Sequence, residues 1–224
     1  MCIRDSLINA VYFKGIWVSQ FDKKDTKAED FYPAGGSSIK VDMMRQEADF
    51  NYRSDENAGY LELPYGNNAF SMVLMLPHEG KTTGDILQHL SSGYWNDIMA
   101  SMYGTKVNLH LPRFKTECQY RMQEKILPAM GMNIPFTGMA YFSGISEASL
   151  YISEVIHKTF VEVNEEGTEA SAVTSVGMYE TSVGPGERQP IDYIVNKPFV
   201  FAIRENSTGI ILFIGKIGEV TTDK

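Results

Sequence analysis

Apolar and polar positions alternate along much of this chain with the two-residue period of a pleated strand. Runs rich in β-branched, aromatic and aliphatic residues recur at 7–13, 39–44, 58–64, 70–76, 106–114, 151–163, 199–204 and 209–217, and each predicts a strand. Tyr65-Gly66-Asn67-Asn68 lies between two of them and predicts a hairpin turn, because Gly and Asn accept positive φ. Helical spacing appears three times. Ile86, Leu87 and Leu90 form one face, and Trp95, Ile98, Met99 and Met102 a second; Tyr120, Met122, Ile126, Leu127 and Met130 form a third, stopped by Pro128 and Gly131. Residues 22–27 read as a charged connector and Gly35-Gly36-Ser37-Ser38 as a turn. Many strands with few short helices predict an α+β fold.

One segment departs from ordinary loop grammar. In Glu165-Glu166-Gly167-Thr168-Glu169-Ala170-Ser171-Ala172-Val173-Thr174-Ser175, the positions after Gly167 keep the strand period. Thr168, Ala170, Ala172 and Thr174 are small and uncharged, while Glu169, Ser171, Val173 and Ser175 tolerate polarity. That is a strand with a narrow buried face and a wet one. No proline interrupts it before Pro185, so every N–H from Thr168 to Gly184 is free to join a ladder. Gly167 supplies the φ freedom of a hinge. Residues 177–189 mix Gly177, Gly184, Pro185 and Gly186 with polar residues and predict a solvent-exposed tether. The plainer reading of 165–175 is a small-residue edge strand.

Composition narrows the functional classes. The 224 residues suffice for one large domain or two small ones, and 43% hydrophobic with 21% charged residues is ordinary for a globular protein. A net charge of −8 disfavours general nucleic-acid binding. No apolar run approaches the roughly 18 residues of a membrane-spanning helix. Cys2 and Cys118 make no disulfide framework. His78, His89, His110 and His157 lack the spacing of a zinc site, and no G-x-S-x-G elbow marks a serine hydrolase. No cofactor is expected. Met122, Met130, Met132 and Met139 are expected to pack the core.

In this setting the segment 165–174 resembles the hinge of an inhibitory serpin, a family whose reactive loop enters its own central sheet after cleavage. Other stretches follow the family's order. Leu7-Ile8-Asn9-Ala10-Val11-Tyr12-Phe13-Lys14-Gly15-Ile16-Trp17 resembles the third strand of the main sheet and its breach, and Leu61-Glu62-Leu63-Pro64-Tyr65 with 70–77 a hairpin of the second sheet. Leu109-His110-Leu111-Pro112-Arg113-Phe114 resembles another main-sheet strand, 152–163 the strand leading into the hinge, and 195–203 the family's terminal signature. The resemblance implies a serpin-like α+β fold, with residues 7–224 the C-terminal part of one domain, a hinge at 165–175 and a reactive loop at 176–190. Residues 1–6 match neither the family nor a secretory signal and read as a leader or scar. A microbial-type inhibitory member, monomeric and extracellular, is expected.

The resemblance also implies a mechanism, in which the chemistry belongs to the target serine protease. Its serine attacks the loop to form an acyl-enzyme, and the freed hinge inserts before water can release it. Inserting roughly fourteen residues with partners on both flanks makes one to two dozen hydrogen bonds, a gain on the order of 10 kcal/mol at about 1 kcal/mol each. Thr168 enters first, where a charge would cost several kcal/mol. The hinge spacing places the scissile bond at Thr181-Ser182, suiting an elastase-like or subtilisin-like protease; counting back from Pro198 favours Glu187-Arg188, and Arg188 would suit a trypsin-like one. Asn9 and His157 match the shutter, where a buried Asn–His hydrogen bond is expected to part on insertion. Trp17 matches the breach tryptophan, or is simply a large core aromatic. The rival function is a non-inhibitory serpin acting as a binding or chaperone module.

Overall fold

The computed structural model of this chain describes residues 6–146, 148–168 and 189–220. In chain order the strands and helices are β1 Ser6–Tyr12, β2 Gly15–Ile16, β3 Lys27–Phe31, β4 Ile39–Ser54, β5 Ala58–Tyr65, β6 Phe70–Pro77, α1 Thr83–His89, α2 Ser92–Ser101, β7 Tyr103–Pro112, β8 Phe114–Arg121, α3 Ile126–Ala129, β9 Glu154–Val163, β10 Gly167–Thr168, β11 Ile191–Ile194, β12 Phe199–Glu205 and β13 Ile211–Ile217. The fold is mixed α+β, as the alternation predicts. Two compact units divide the chain: one comprises 1–13 with 116–161, the other 14–115 with 162–224.

The larger unit is built on an eight-stranded sheet of order β11-β7-β4-β5-β6-β12-β13, with β3 added beside β4. Most pairs are antiparallel, and β11 joins β7 in parallel. The turn between β5 and β6 uses Gly66 at φ +52° and Asn68 at φ +65°, the residue types such a turn requires. One sheet face is covered by the two helices. Ile86 of α1 and Trp95 and Ile98 of α2 pack on Ala58, Tyr60, Val73, Met75, Val200 and Ala202. A capping box starts α1, with Thr82 and Asp85 satisfying each other's backbone. On the opposite face Phe114 meets Phe199 and Phe201 at ring-centroid distances of 5.5 and 5.6 Å. Burial on both faces explains why β5, β6 and β12 read as nearly continuous apolar runs.

In the smaller unit β1 runs parallel to the first part of β9, and β8 also pairs with β9. Here the sequence reading needs correction. The third helix is confined to the single turn Ile126–Ala129, and Tyr120 lies in β8. Pro128 is tolerated because the first helical turn needs no N–H from it; Gly131 at φ +95° then ends the turn. With so little helix, no apolar face forms. Met130 and Met139 are each 76% exposed and Met132 is exposed too, so these methionines do not pack the core. The run 109–114 is also divided: 109–112 belong to β7 of the eight-stranded sheet, and Phe114 opens β8. Arg113 sits at the switch with its N–H donating to the Asp42 carbonyl at 2.9 Å.

Candidate functional site

The segment expected to be the hinge begins where the chain after β9 turns back on itself. Asn164 accepts through Oδ1 from the N–H groups of Glu166 (3.0 Å) and Gly167 (3.2 Å), an Asx turn that reverses the chain. β10 therefore runs antiparallel to the end of β9, Thr168 opposite Val163, and its other edge pairs with β2, Gly167 opposite Ile16 and Thr168 opposite Gly15. Gly167 has φ +153°, and a Cβ there would lie 2.0 Å from the Gly15 carbonyl oxygen. Only glycine fits so close to that backbone. Thr168, the first residue of the small-residue ribbon, thus lies in a lane between two strands, β2 and β9.

Aromatic side chains close this lane. Trp17 stacks on Tyr65 at 4.3 Å with ring planes 15° apart, and its indole N–H donates to the Asn164 carbonyl at 2.9 Å. The Tyr65 and Thr168 hydroxyls are hydrogen-bonded at 2.6 Å, both residues being buried. Backbone bonds add to this: Trp17 N–H donates to Glu166 and Phe21 N–H to Glu165, both at 3.0 Å. A buried tryptophan with a satisfied N–H is what an aromatic of this size requires. Trp17 is therefore a core residue that packs against the turn leading into β10.

Charge fixes the two glutamates before Gly167. The Glu165 side chain is 1% exposed; Arg113 Nε donates to both carboxylate oxygens at 2.9 Å, Arg113 Nη2 adds a third bond, and the Thr26 hydroxyl donates at 2.6 Å. Burial pushes the Glu165 carboxyl up, but the Arg113 and Thr26 bonds outweigh it and hold the group below its usual range. Arg113 also reaches Asp42 at 3.2 Å, and Lys23 pairs with Glu166 at 2.7 Å. Among the described residues no group of three or more His, Cys, Asp and Glu is placed to hold a metal ion.

The expected site residues thus divide. Glu165, Glu166, Gly167, Thr168 and Trp17 come together in the larger unit. Asn9 and His157 are opposite each other in the β1–β9 register, within the smaller unit. Asn9 is exposed and His157 half-buried, so the pair does not occupy the buried setting expected of it in this chain. Glu169, Ala170, Ser171, Ala172, Val173 and Thr174 lie outside the described residues, as do both candidate bonds, Thr181-Ser182 and Glu187-Arg188. Sequence reasoning missed Tyr65, Arg113, Thr26 and Asn164 as partners of the hinge. Tyr65 and Arg113 both fall inside quoted motifs, where they read only as strand residues.

Comparison with known proteins places this geometry in context. The family profile described as Serpin (serine protease inhibitor) matches residues 4–220. Iris from Ixodes ricinus is 42% identical over 219 residues, covering 96% of this chain and 57% of that protein. Serpin B3 from Homo sapiens is 40% identical over 217 residues, covering 94% of this chain and 54% of its own. Among solved structures, the thermophilic serpin tengpin in its native state superposes with a TM-score of 0.84 at 35% identity, covering 98% of this chain and 57% of that one. A human thyroxine-binding globulin complexed with its hormone gives 0.86 at 27% identity, covering 97% and 56%. The chain spans little more than half the length of each.

Proposed function

Because the chain belongs to the serpin family, we propose that it serves in a suicide inhibitor of serine proteases that traps its target by inserting the 165–175 hinge into a sheet. The protease serine attacks the carbonyl carbon of Thr181, the C–N bond to Ser182 breaks, and the amine leaves with a proton from the protease's general acid. The acyl-enzyme then carries the loop's new C-terminal end. Insertion of the ribbon behind Thr168 drags the protease from its docking position and pulls its oxyanion hole out of geometry; loss of such a donor slows deacylation roughly 10²-fold to 10³-fold. An extracellular setting and a microbial type are part of the same proposal.

The observation that supports this reading most is the placement of Gly167 and Thr168, both paired with β2, and of Thr168 also paired on its other edge with β9. An inhibitor that must outrun water gains from a strand whose first residue is already in position. A small, uncharged Thr168 with its hydroxyl satisfied suits that lane; a charged residue would not.

The test uses the full-length protein carrying this chain, mixed separately with elastase-like, subtilisin-like and trypsin-like serine proteases. The expected result is an adduct that survives denaturing electrophoresis with one of the first two, and a released peptide beginning at Ser182. A peptide beginning at Arg188 or just after it moves the bond to the alternative position. Cleavage without any adduct would overturn the inhibitory reading in favour of a non-inhibitory binding module; the similar thyroxine-binding globulin is a complex with thyroxine.

A further inference from the structure

Tyr65 stands 103 residues from the hinge in sequence, and nothing in the strand pattern around it calls for a hydroxyl. It is 3% exposed and ends β5, whose other buried positions are apolar except Tyr60, which is hydrogen-bonded to the Tyr94 hydroxyl at 3.0 Å. A phenylalanine would fill the same space and keep the stack on Trp17. The hydroxyl is instead spent on Thr168 Oγ1, at 2.6 Å in a fully buried position. A buried hydroxyl without a partner is destabilising, and this bond gives one to each group.

This bond has a particular topological position. β5 belongs to the eight-stranded sheet, whereas Thr168 belongs to β10, between β2 and β9. The tyrosine therefore reaches from one sheet into the insertion lane of another. Its backbone neighbourhood is tied to the same point: Trp17 forms a bridge with Tyr65, Val18 N–H donates to the Pro64 carbonyl at 3.0 Å, and Gly66 N–H donates to the Ile16 carbonyl at 2.8 Å. These contacts fix the Tyr65 ring relative to β2, and the ring fixes where Thr168 sits.

We propose that Tyr65 is a positioning residue for insertion, its hydroxyl latching Thr168 in the lane while the reactive loop is still intact. The latch is a nucleus. Forming the first rung of a ladder fixes several backbone dihedrals for little return, whereas each later rung adds bonds to an existing edge. With Thr168 held, insertion after cleavage only has to propagate. Without the latch the hinge leaves the lane between encounters, and each insertion must begin by re-entering it. Deacylation then wins more often, and the inhibitor is turned over as a substrate. The inference rests on the inhibitory reading for its consequence, though the latch itself is a property of the intact chain.

The experiment is Tyr65→Phe in the full-length protein, with two readouts. Hydrogen exchange of the intact protein, followed at the hinge amides of 163–168, is expected to quicken roughly tenfold, the factor that corresponds to about 1.4 kcal/mol. The number of inhibitor molecules consumed per protease trapped is expected to rise several-fold, while the rate of initial attack on the loop stays the same. Thr168→Val provides the control for a merely structural effect: if the two hydroxyls act through their mutual bond, the double variant exchanges no faster than the more affected single variant. Additive effects would overturn the latch, as would hinge exchange that is unchanged in Tyr65→Phe. Faster exchange with unchanged trapping would overturn its role in inhibition. If the unaltered protein traps no protease, the inhibitory reading fails on its own, and the exchange measurement still decides whether Tyr65 holds Thr168.

Discussion

Glu165 carries a negative charge in a place where water does not reach it, and that charge persists only because Arg113 and Thr26 supply hydrogen bonds to it. The linkage to pH follows in sign. Its folded-state pKa lies below the ordinary 4.5, so the stabilisation is complete above that value and is lost as pH falls through the lower folded value. In thermal melts of the full-length protein, the wild type is expected to exceed Glu165→Gln near neutrality, by about 1.5 to 3 kcal/mol for bonds to a charged group. The gap should close on acidification below 4.5; a gap that stays constant down to pH 3 would mean that the carboxylate is not what Arg113 holds. Half of this cluster was legible in the chain. Gly167 and Thr168 declare themselves through size and parity, because backbone approach and burial restrict residue type locally. Arg113, 52 residues from Glu165, and Tyr65, 103 residues from Thr168, do not: their roles depend on which elements meet, and periodicity does not encode that.

At the scale of elements, adjacent residues of α1 separate burial from hydrophobicity. Ile86 is fully buried against the sheet, whereas its neighbour Leu87 is 41% exposed, although both count as apolar in the sequence. Ile86→Ala is expected to lower the unfolding free energy by about 2 to 5 kcal/mol and Leu87→Ala by less than about 1 kcal/mol, measured from urea midpoints at constant slope. Equal losses would mean that α1 does not seat on β5 and β6 as described. The spacing that exposed α1 and α2 to sequence reading failed for the third helix, since 114–121 also alternate, and pairing with β9 settled the ambiguity in favour of a strand. The opposite error occurred at β3. Lys27, Glu29 and Asp30 lie in or beside what reads as a charged connector, but pairing with β4 turns 27–31 into a strand and places Asp30 3.0 Å from Lys40 and Glu29 beside Arg45. Polar residues on an added strand are stabilised by cross-strand partners that lie outside any local window.

For the whole molecule, the proposed mechanism requires that the intact protein be the less stable form. If the ribbon behind Thr168 becomes a strand with neighbours on both sides, cutting the loop releases on the order of 10 kcal/mol that the uncut chain cannot reach. The buried face of that strand is set by parity from Thr168 onward: Ala170, Ala172 and Thr174 continue the small, uncharged side that Thr168 begins. Limited proteolysis of the full-length protein, with both pieces kept together, should therefore raise the guanidinium midpoint well above that of the uncut protein. Thr168→Glu is the decisive companion. Its carboxylate would have to enter beside Tyr65 in a position with no exposure, at a cost of several kcal/mol that opposes the first step of insertion. The cut variant should lose much of the gain in midpoint, and its trapping of protease should fall while its cleavage continues. An equal midpoint for cut and uncut wild type would show that the loop never joins a sheet. Undiminished trapping by Thr168→Glu would show that it joins somewhere other than the lane between β2 and β9.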